Sequence, residues 1–258
     1  MRSLIILLAA LISFSGHADS GLPLMKSLAG DAELPRPWGI GVDFYTMDQD
    51  YDIQNLQFAL PGVSLSDPSQ IQVTNEVMHY DLKADAWLLP FLNVFGVLGK
   101  VNIDTTVDFS QVEITGLPFS LGKLPVSFKG TVYGLGFTLV YGSDNWFTSV
   151  TTAYTETNTS GGLDSKVESL SVQPRLGLLR DNWRVWVGGM YLDTTEKHGG
   201  LFELPVLGSV PFSVELATRD NWNYTGGVGY VFSDRANLSL ELGFGNRTHT
   251  LFNFNVRF

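Results

Sequence analysis

The 258-residue chain contains no cysteine. Disulfides, thiolate metal sites and thiol catalysis are therefore excluded, and so is the lipoprotein route, which needs a cysteine at the cleavage site. Basic residues are also scarce, with 16 Lys and Arg against 26 Asp and Glu. An acidic chain without a basic stripe predicts no nucleic-acid partner.

Long hydrophobic runs are missing as well. The N-terminus carries Arg2, an apolar run over 4–14, and small residues at Gly16 and Ala18. This order is typical of a secretory signal peptide, and the run is too short for a spanning helix, which needs ~20 residues. No later stretch approaches the ~18 apolar residues of such a helix. We therefore expect a signal peptide over 1–18 and an exported mature chain of net charge −11, with 15 basic and 26 acidic residues.

What the sequence does contain is alternation of apolar and polar residues between clusters of Gly, Asn and Asp. The clearest stretch, HYDLKADAWLL over 79–89, sets Tyr80 and Leu82 against Asp81 and Lys83. Period-two alternation predicts half-buried β-strands. Ten such strands can be read, each about the ~9–11 residues of a tilted membrane-spanning strand. One further pair would make twelve.

The connections between the predicted strands alternate in length. Short turns are predicted at 89–91, 142–145, 180–182 and 233–236, and long loops at 48–72, 108–129, 158–168 and 194–218; only 245–247 is short among the latter. Short turns at one end and long loops at the other, with an even strand number, are typical of transmembrane β-barrels. A secreted β-sandwich is the alternative, but it explains the alternation and not the loop asymmetry.

We therefore predict an all-β fold, a transmembrane antiparallel up-and-down β-barrel of about ten strands over 38–258. The segment 19–37 is predicted to lie in the periplasm, where part of it could form a short helix that plugs the lumen. Both termini are expected on the periplasmic side.

The last nine residues, TLFNFNVRF, put Phe254, Val256 and Phe258 on one face. A terminal aromatic preceded by alternating apolar residues resembles the C-terminal assembly signal of Gram-negative outer-membrane β-barrel proteins. The resemblance covers the signal peptide, the strand pattern and these nine residues, and it points to no characterised family. It implies an outer-membrane location, recognition of the three residues by the barrel-assembly machinery, and contact with membrane lipid and lipopolysaccharide.

If the polar residues of each alternating strand point into the barrel, the lumen is charged. The predicted inward charges are Asp81, Lys83, Asp85, Lys100, Asp104, Arg175, Arg184, Glu241 and Arg257. A barrel of even eight strands leaves room only for side chains or one small ligand, so this lumen is expected to be narrow. The charges should pair, because an unpaired charge in a poorly hydrated interior is costly. They form either an ion-pair plug or a thin polar path or ligand cradle.

Three predicted loops are unusually apolar for the outside of a barrel: 59–68, 116–128 and 203–214. Their apolar candidates are Leu117, Phe119, Leu204 and Phe212. Such loops either pack on one another as a lid, extend the strands above the membrane, or form a vestibule for a hydrophobic ligand or partner.

Residues for catalysis or metal binding are few. The mature chain has three histidines; His79 shares a face with Asp81 near a strand end, and His198 lies in a predicted polar loop with no second histidine nearby. No motif selects one serine, and the Asp-Asp and Asp-x-His pairs of the ten-stranded outer-membrane proteases are missing. We expect no enzyme, metal or cofactor. The working hypothesis is a narrow channel or binding protein for a small, hydrophobic molecule. The alternative is a structural or surface-interaction barrel with a plugged lumen, and a membrane enzyme is the third hypothesis.

Overall fold

The computed structural model describes residues 21–30, 33–58, 64–65, 70–111, 114–115, 122–160, 163–204 and 208–258. The predicted signal peptide lies outside them. The strands are β1 Trp38–Phe58, β2 Ser64–Leu65, β3 Gln72–Leu89, β4 Leu92–Asp108, β5 Ile114–Thr115, β6 Lys123–Gly142, β7 Trp146–Ser160, β8 Leu163–Arg180, β9 Trp183–Leu204, β10 Gly208–Thr218, β11 Trp222–Val231, β12 Ala236–Phe244 and β13 Arg247–Arg257. A short 3-10 helix, Lys26–Ala29, precedes them. Within the described ranges no helix is long and apolar enough to cross a membrane.

Eleven strands form one antiparallel sheet that closes into a ring. Closure occurs at β1, which pairs with β3 on one side and with β13 on the other, so that Phe44 lies opposite both Tyr80 and Phe252. The structure therefore confirms the predicted antiparallel up-and-down barrel. At the end with the short turns, the turn end, the ring consists of the ten predicted strands: β1, β3, β4, β6, β7, β8, β9, β11, β12 and β13.

The opposite end, the loop end, has a different number of strands. There β10 pairs with the upper parts of β9 and β1, as in Ala217 opposite Thr195 and Thr218 opposite Tyr51. It takes the place of β11, β12 and β13, so the wall narrows to eight strands. This strand lies within 194–218, which the sequence analysis placed in a loop. The loop assignment is wrong because it limited each strand to the thickness of a membrane. The other interpretation of its apolar part, 203–214, as an extension of the strands above the membrane, agrees with this pairing.

The strands are in fact longer than a membrane requires, and β9 shows where the membrane ends. Its 22 residues begin with the exposed apolar side chains of Trp183, Val185 and Val187 on the outer face. Further along the same face come Asp193 and Lys197. Exposed apolar surface is unfavourable in water, so the first nine residues form the lipid-facing part and the rest extends beyond it.

The inner face changes in the opposite sense. At the loop end the interior is apolar and closely packed, as in a water-soluble protein. Its buried cluster consists of Tyr51, Ile71, Val73, Phe109 and Leu216. A second cluster below it consists of Val101, Ile103, Phe128 and Val132.

Two arginines close the wall where ten strands become eight. Arg247 at the start of β13 is 2% exposed and donates to Gln49 Oε1 and to the carbonyl oxygens of Met190 and Asn221. On the outer face, Arg219 forms ion pairs with Asp50 and Asp52 of β1. Arg247 thereby supplies donors to carbonyl oxygens of β9 and of the β10–β11 connection, where the ten-stranded part ends.

The N-terminal segment lies at the turn end. The amide of Leu24 donates to the carbonyl oxygen of Leu88, and that of Trp87 donates to Pro37. No described residue of 21–37 lines the cavity inside the barrel. The idea that its helix plugs the lumen is therefore not supported.

The apolar band gives the first prediction. Val187 lies midway between Trp183 and Tyr191 on the outer face of β9 and is 66% exposed. We expect Val187→Arg to lower the free energy of unfolding in phospholipid vesicles by about 2–4 kcal/mol, since the charge falls at the middle of the band. Urea titration of the vesicle-embedded barrel measures this. Thr195→Arg, higher on the same face, is the control, and equal losses in both variants would contradict the position of the band.

Candidate functional site

A cavity of about 520 Å³ lies inside the barrel. It reaches from Tyr230 and Asn237 at the turn end to Tyr51 and Glu196 toward the loop end. Its walls combine aliphatic, aromatic and charged side chains. Cavities of ~300–1,000 Å³ hold small molecules in many proteins, so this space is the candidate site.

One wall of the cavity carries a charge pair contributed by strands that are not neighbours. Arg175 on β8 makes two hydrogen bonds to Glu241 on β12, at 2.7 Å from Nε and 3.1 Å from Nη2. Trp186 on β9 also donates to Glu241, at 2.6 Å from Nε1. Bidentate Arg–carboxylate pairs are strong and geometrically specific, so this cluster fixes three side chains in one arrangement.

The opposite wall carries a second charge cluster. Asp85 on β3 accepts hydrogen bonds from Asn93, Asn255 and Arg257. Arg257 also donates to the carbonyl oxygen of Arg36, at 2.7 Å, which ties the residues before β1 to the wall. The carboxylate has three donors, which offsets its loss of hydration.

A third group lies above it. The Lys83 ammonium is 3.4 Å from Asp43, and His79 Nε2 is 3.0 Å from Asp81. The remaining oxygen of Asp81, Oδ1, makes no hydrogen bond to another described residue, and neither does Trp87 Nε1. Both side chains line the cavity.

Glycines make the first two clusters possible. Gly227 on β11 lies directly between Trp186 and Glu241 in the strand pairing, and Gly39 on β1 lies between Asp85 and Arg257. A Cβ at Gly227 would stand 2.2 Å from the indole, and one at Gly39 would stand 2.2 Å from the carboxylate of Asp85. Because the central strand has no side chain there, its two neighbours meet over it.

The structure places seven of the nine predicted lumen charges along the cavity: Asp81, Lys83, Asp85, Arg175, Arg184, Glu241 and Arg257. The lumen positions predicted for Lys100 and Asp104 are wrong. Lys100 donates to Thr131 Oγ1 in an exposed contact, and Asp104 is exposed. On β4 the outer face turns from apolar to polar at this height, whereas the prediction assigned every polar residue to the interior.

The predicted apolar loop residues are distributed differently. Leu117 and Phe119 lie outside the described residues, and Leu204 is the last residue of β9. Phe212 belongs to β10, where it faces Gly200 in the strand pairing, so it is not a loop residue. Its strand contributes buried Val210 and Leu216 to the interior.

The predicted assembly residues form the closing strand. Phe254 lies opposite Val42 on β1, and Val256 lies opposite Ile40. Phe258 exchanges backbone hydrogen bonds with Trp38. Their recognition by the assembly machinery stays a prediction.

Only charged residues were predicted to line the lumen, so the uncharged residues Trp186 and Gly227 were missed. Each of the two lies an even number of residues from inward polar residues on its own strand, and this spacing could have placed both on the inner face.

The sequence matches no protein-family model and no curated protein. Among solved structures, the chain is similar to OprG from Pseudomonas aeruginosa, with 12% identity, coverage of 87% of this chain and 98% of that one, and a TM-score of 0.46. The outer-membrane protease OmpT from Escherichia coli has 9% identity, 87% and 97% coverage, and a TM-score of 0.45. The toluene transporter TodX from Pseudomonas putida has 10% identity, 87% and 89% coverage, and a TM-score of 0.33. Likenesses this distant carry no argument about function.

The glycine contact gives the second prediction. Gly227→Ala should displace the Trp186 indole and break its hydrogen bond to Glu241, at a cost of about 1–3 kcal/mol in unfolding free energy. Urea unfolding in vesicles measures the loss, and a shift in tryptophan emission reports the displaced ring. The matched control is Gly226→Ala on the outer face, where the nearest atom is 3.9 Å from the new Cβ. If the two variants lose equal stability, the contact over Gly227 does not matter.

Proposed function

We propose that the chain is an integral outer-membrane barrel that holds a small amphipathic molecule in its lumen, as a narrow conduit closed toward the loop end. The main support is the cavity of about 520 Å³ inside the barrel, whose lining includes both paired charges and apolar side chains. A space of this size, with an apolar wall and a few polar groups in its lining, has the character of a small-molecule site.

The membrane location is supported by the outer surface. Exposed apolar side chains follow the outer face of every strand in the ten-stranded part, and Trp, Tyr and Phe are frequent near its two edges. Such a band is covered favourably only by lipid. Together with the predicted signal peptide it favours the outer membrane, with lipopolysaccharide and the barrel-assembly machinery as proposed contacts.

The lining determines the class of ligand. Val97, Val101, Ile103 and Val132 provide an apolar wall on β4 and β6. The cavity also offers hydrogen-bond partners to a ligand, because Asp81 Oδ1 can accept a hydrogen bond and Trp87 Nε1 can donate one. A small, mainly apolar molecule with one or two polar groups fits this combination.

The closed state is supported by the loop end. Above the cavity the buried side chains of Tyr51, Val73 and Leu216 pack together inside the eight-stranded wall. Permeation requires this cluster to rearrange. The second candidate function, a structural barrel with a plugged lumen, is favoured by the same packing and by the Arg175–Glu241 pair.

Ligand binding distinguishes the two functions and gives the third prediction. We expect 1-aminoanthracene to bind the purified barrel, detected as energy transfer from tryptophan, since Trp87 and Trp186 line the cavity. Ala153→Phe, which adds a phenyl group inside the lumen, should abolish the signal. Thr152→Phe places the same group on the outer face of the same strand and should retain it. Equal signals in both variants would mean that the dye binds outside the lumen, and the structural function would be favoured.

The fourth prediction concerns conduction. In a planar bilayer the purified protein should show no discrete current steps, because apolar packing fills the loop end and dry apolar constrictions block ions. Heat-modifiable mobility in gels establishes that the silent protein is folded. Regular, salt-dependent steps from the unmodified barrel would show an open water path and refute the closed state.

A further inference from the structure

A second cluster of reactive side chains lies above the cavity, beyond the lipid-facing part of the barrel. Ser165 on β8 and His198 on β9 are directly opposite each other in the strand pairing. Glu196 precedes His198 by two residues and so shares its inward face. His198 Nδ1 is 2.7 Å from Ser165 Oγ, and His198 Nε2 is 2.9 Å from Glu196 Oε2.

Donor and acceptor roles follow from the chemistry of the groups. An ionised carboxylate only accepts, so Nε2 carries the ring proton and donates it to Glu196. Nδ1 then holds the lone pair and accepts the hydroxyl hydrogen of Ser165. The imidazole is therefore in the tautomer that can remove a proton from the serine, and a carboxylate stabilises the cation that forms.

The carboxylate is held in place by a second layer of side chains. Asn75 Nδ2 lies 3.0 and 3.2 Å from the two oxygens of Glu196. The Tyr51 hydroxyl also hydrogen-bonds to Glu196, and burial together with this carboxylate holds the pKa of Tyr51 well above its ordinary value. Glu196 is 1% exposed and Asn75 is fully buried, so the arrangement has little freedom.

We propose that Ser165, His198 and Glu196 form an acyl-transfer site that hydrolyses short-chain carboxylic esters, with Ser165 as nucleophile, His198 as base and Glu196 as the positioning residue. This goes beyond small-molecule binding and departs from the expectation that the chain is not an enzyme. It rests on the proposed ligand cavity as the route by which the ester arrives.

The route is visible in the strand pairing. Val167 opposite Glu196 is the last pair of β8 and β9 that lines the cavity, and Ser165 opposite His198 is the next pair on the same face. The Ser165–His198 pair therefore lies two residues, or about 7 Å, further along the strands than the Val167–Glu196 pair. Val101, Ile103 and Val132 line the end of the cavity nearest this pair and form an apolar wall for an acyl chain. The His198 ring also packs on Phe128, with centroids 5.0 Å apart.

The charged outer surface at this height argues against direct access to the cluster from the membrane. Lys166 and Lys197 lie opposite each other on the outer faces of the two strands, and Lys166 pairs with Glu168 at 2.8 Å. Charged residues place the cluster above the apolar band. The ester therefore reaches the site through the lumen.

The reaction balances with water as the second substrate. Ser165 Oγ attacks the ester carbonyl carbon while its proton moves to His198 Nδ1. The carbon–oxygen bond to the leaving group breaks, and the alcohol departs with the proton from His198. Water then attacks the acyl-serine, gives one proton to His198, and releases the carboxylic acid as Ser165 regains its hydrogen.

The experiment uses the protein purified from membranes in detergent. A fluorophosphonate probe should label Ser165, located by mass spectrometry of the peptide. Ser169, four residues away on the same face and bonded to Thr194 instead of a histidine, is the internal comparison and should stay unlabelled. Hydrolysis of p-nitrophenyl butyrate should fall by at least about 100-fold in Ser165→Ala. Ser127→Ala, an exposed serine on β6, is expected to hydrolyse at the unmodified rate.

Glu196→Gln tests the positioning role. It should lower kcat and the rate of Ser165 labelling while KM changes little, because the substrate contacts stay and only the base is weakened. Heat-modifiable mobility confirms that each variant is folded. Absence of label, label on Ser169, or equal hydrolysis by Ser165→Ala and the unmodified protein would overturn the proposal. If the unmodified protein binds 1-aminoanthracene but does not hydrolyse the ester, only this inference is overturned. If it does not bind the dye, the proposed function itself is overturned.

Discussion

The long strands of this barrel pass from lipid to water along their own length, and the two solvents make opposite demands on their faces. In lipid the backbone must be paired all around, so the sheet closes, and the outer face must be apolar. Beyond the lipid the outer face must be polar, and the apolar residues can only be inside. Strand β9 shows both conditions: Val187, nearer the turn end, is exposed on the outer face, and Leu192, nearer the loop end, is buried inside.

The inversion also explains why the barrel narrows. A ten-stranded ring leaves space that aliphatic side chains from its wall do not fill, and here the space is partly occupied by paired charges. An eight-stranded ring is just wide enough to be filled by side chains. With β10 in place of β11, β12 and β13 at the loop end, the interior therefore changes from a cavity lined by charged and apolar residues to a packed, mainly apolar core. Arg247 and Arg219 bond to residues at the boundary between the two parts.

Much of the fold could be predicted from the sequence because apolar and polar residues alternate along the strands both in lipid and in water. The ten strands of the turn end, their antiparallel order and the short turns followed from it. What failed was the assumption that polar means inward, which is true of Asp81 and Glu241 and false of Lys100 and Asp104 higher up. Contacts between strands that are not neighbours were also beyond reach, since Gly227 shows its role only once Trp186 and Glu241 flank it. The pairing of Ser165 with His198 depends on register between β8 and β9, which no local pattern fixes.

The same constraint bears on the meaning of the polar cluster at Glu196. Apolar residues such as Ile103 and Phe128 fill much of the interior at this height. An apolar side chain in place of Glu196 would carry no cost of dehydration. Burying a carboxylate costs several kcal/mol before its partners repay it. Replacing a buried charge network by well-packed apolar residues is often neutral or stabilising, so stability alone does not account for its presence. A serine, a histidine and a carboxylate with complete hydrogen bonding at the end of a ligand-sized cavity are better explained by chemistry than by packing.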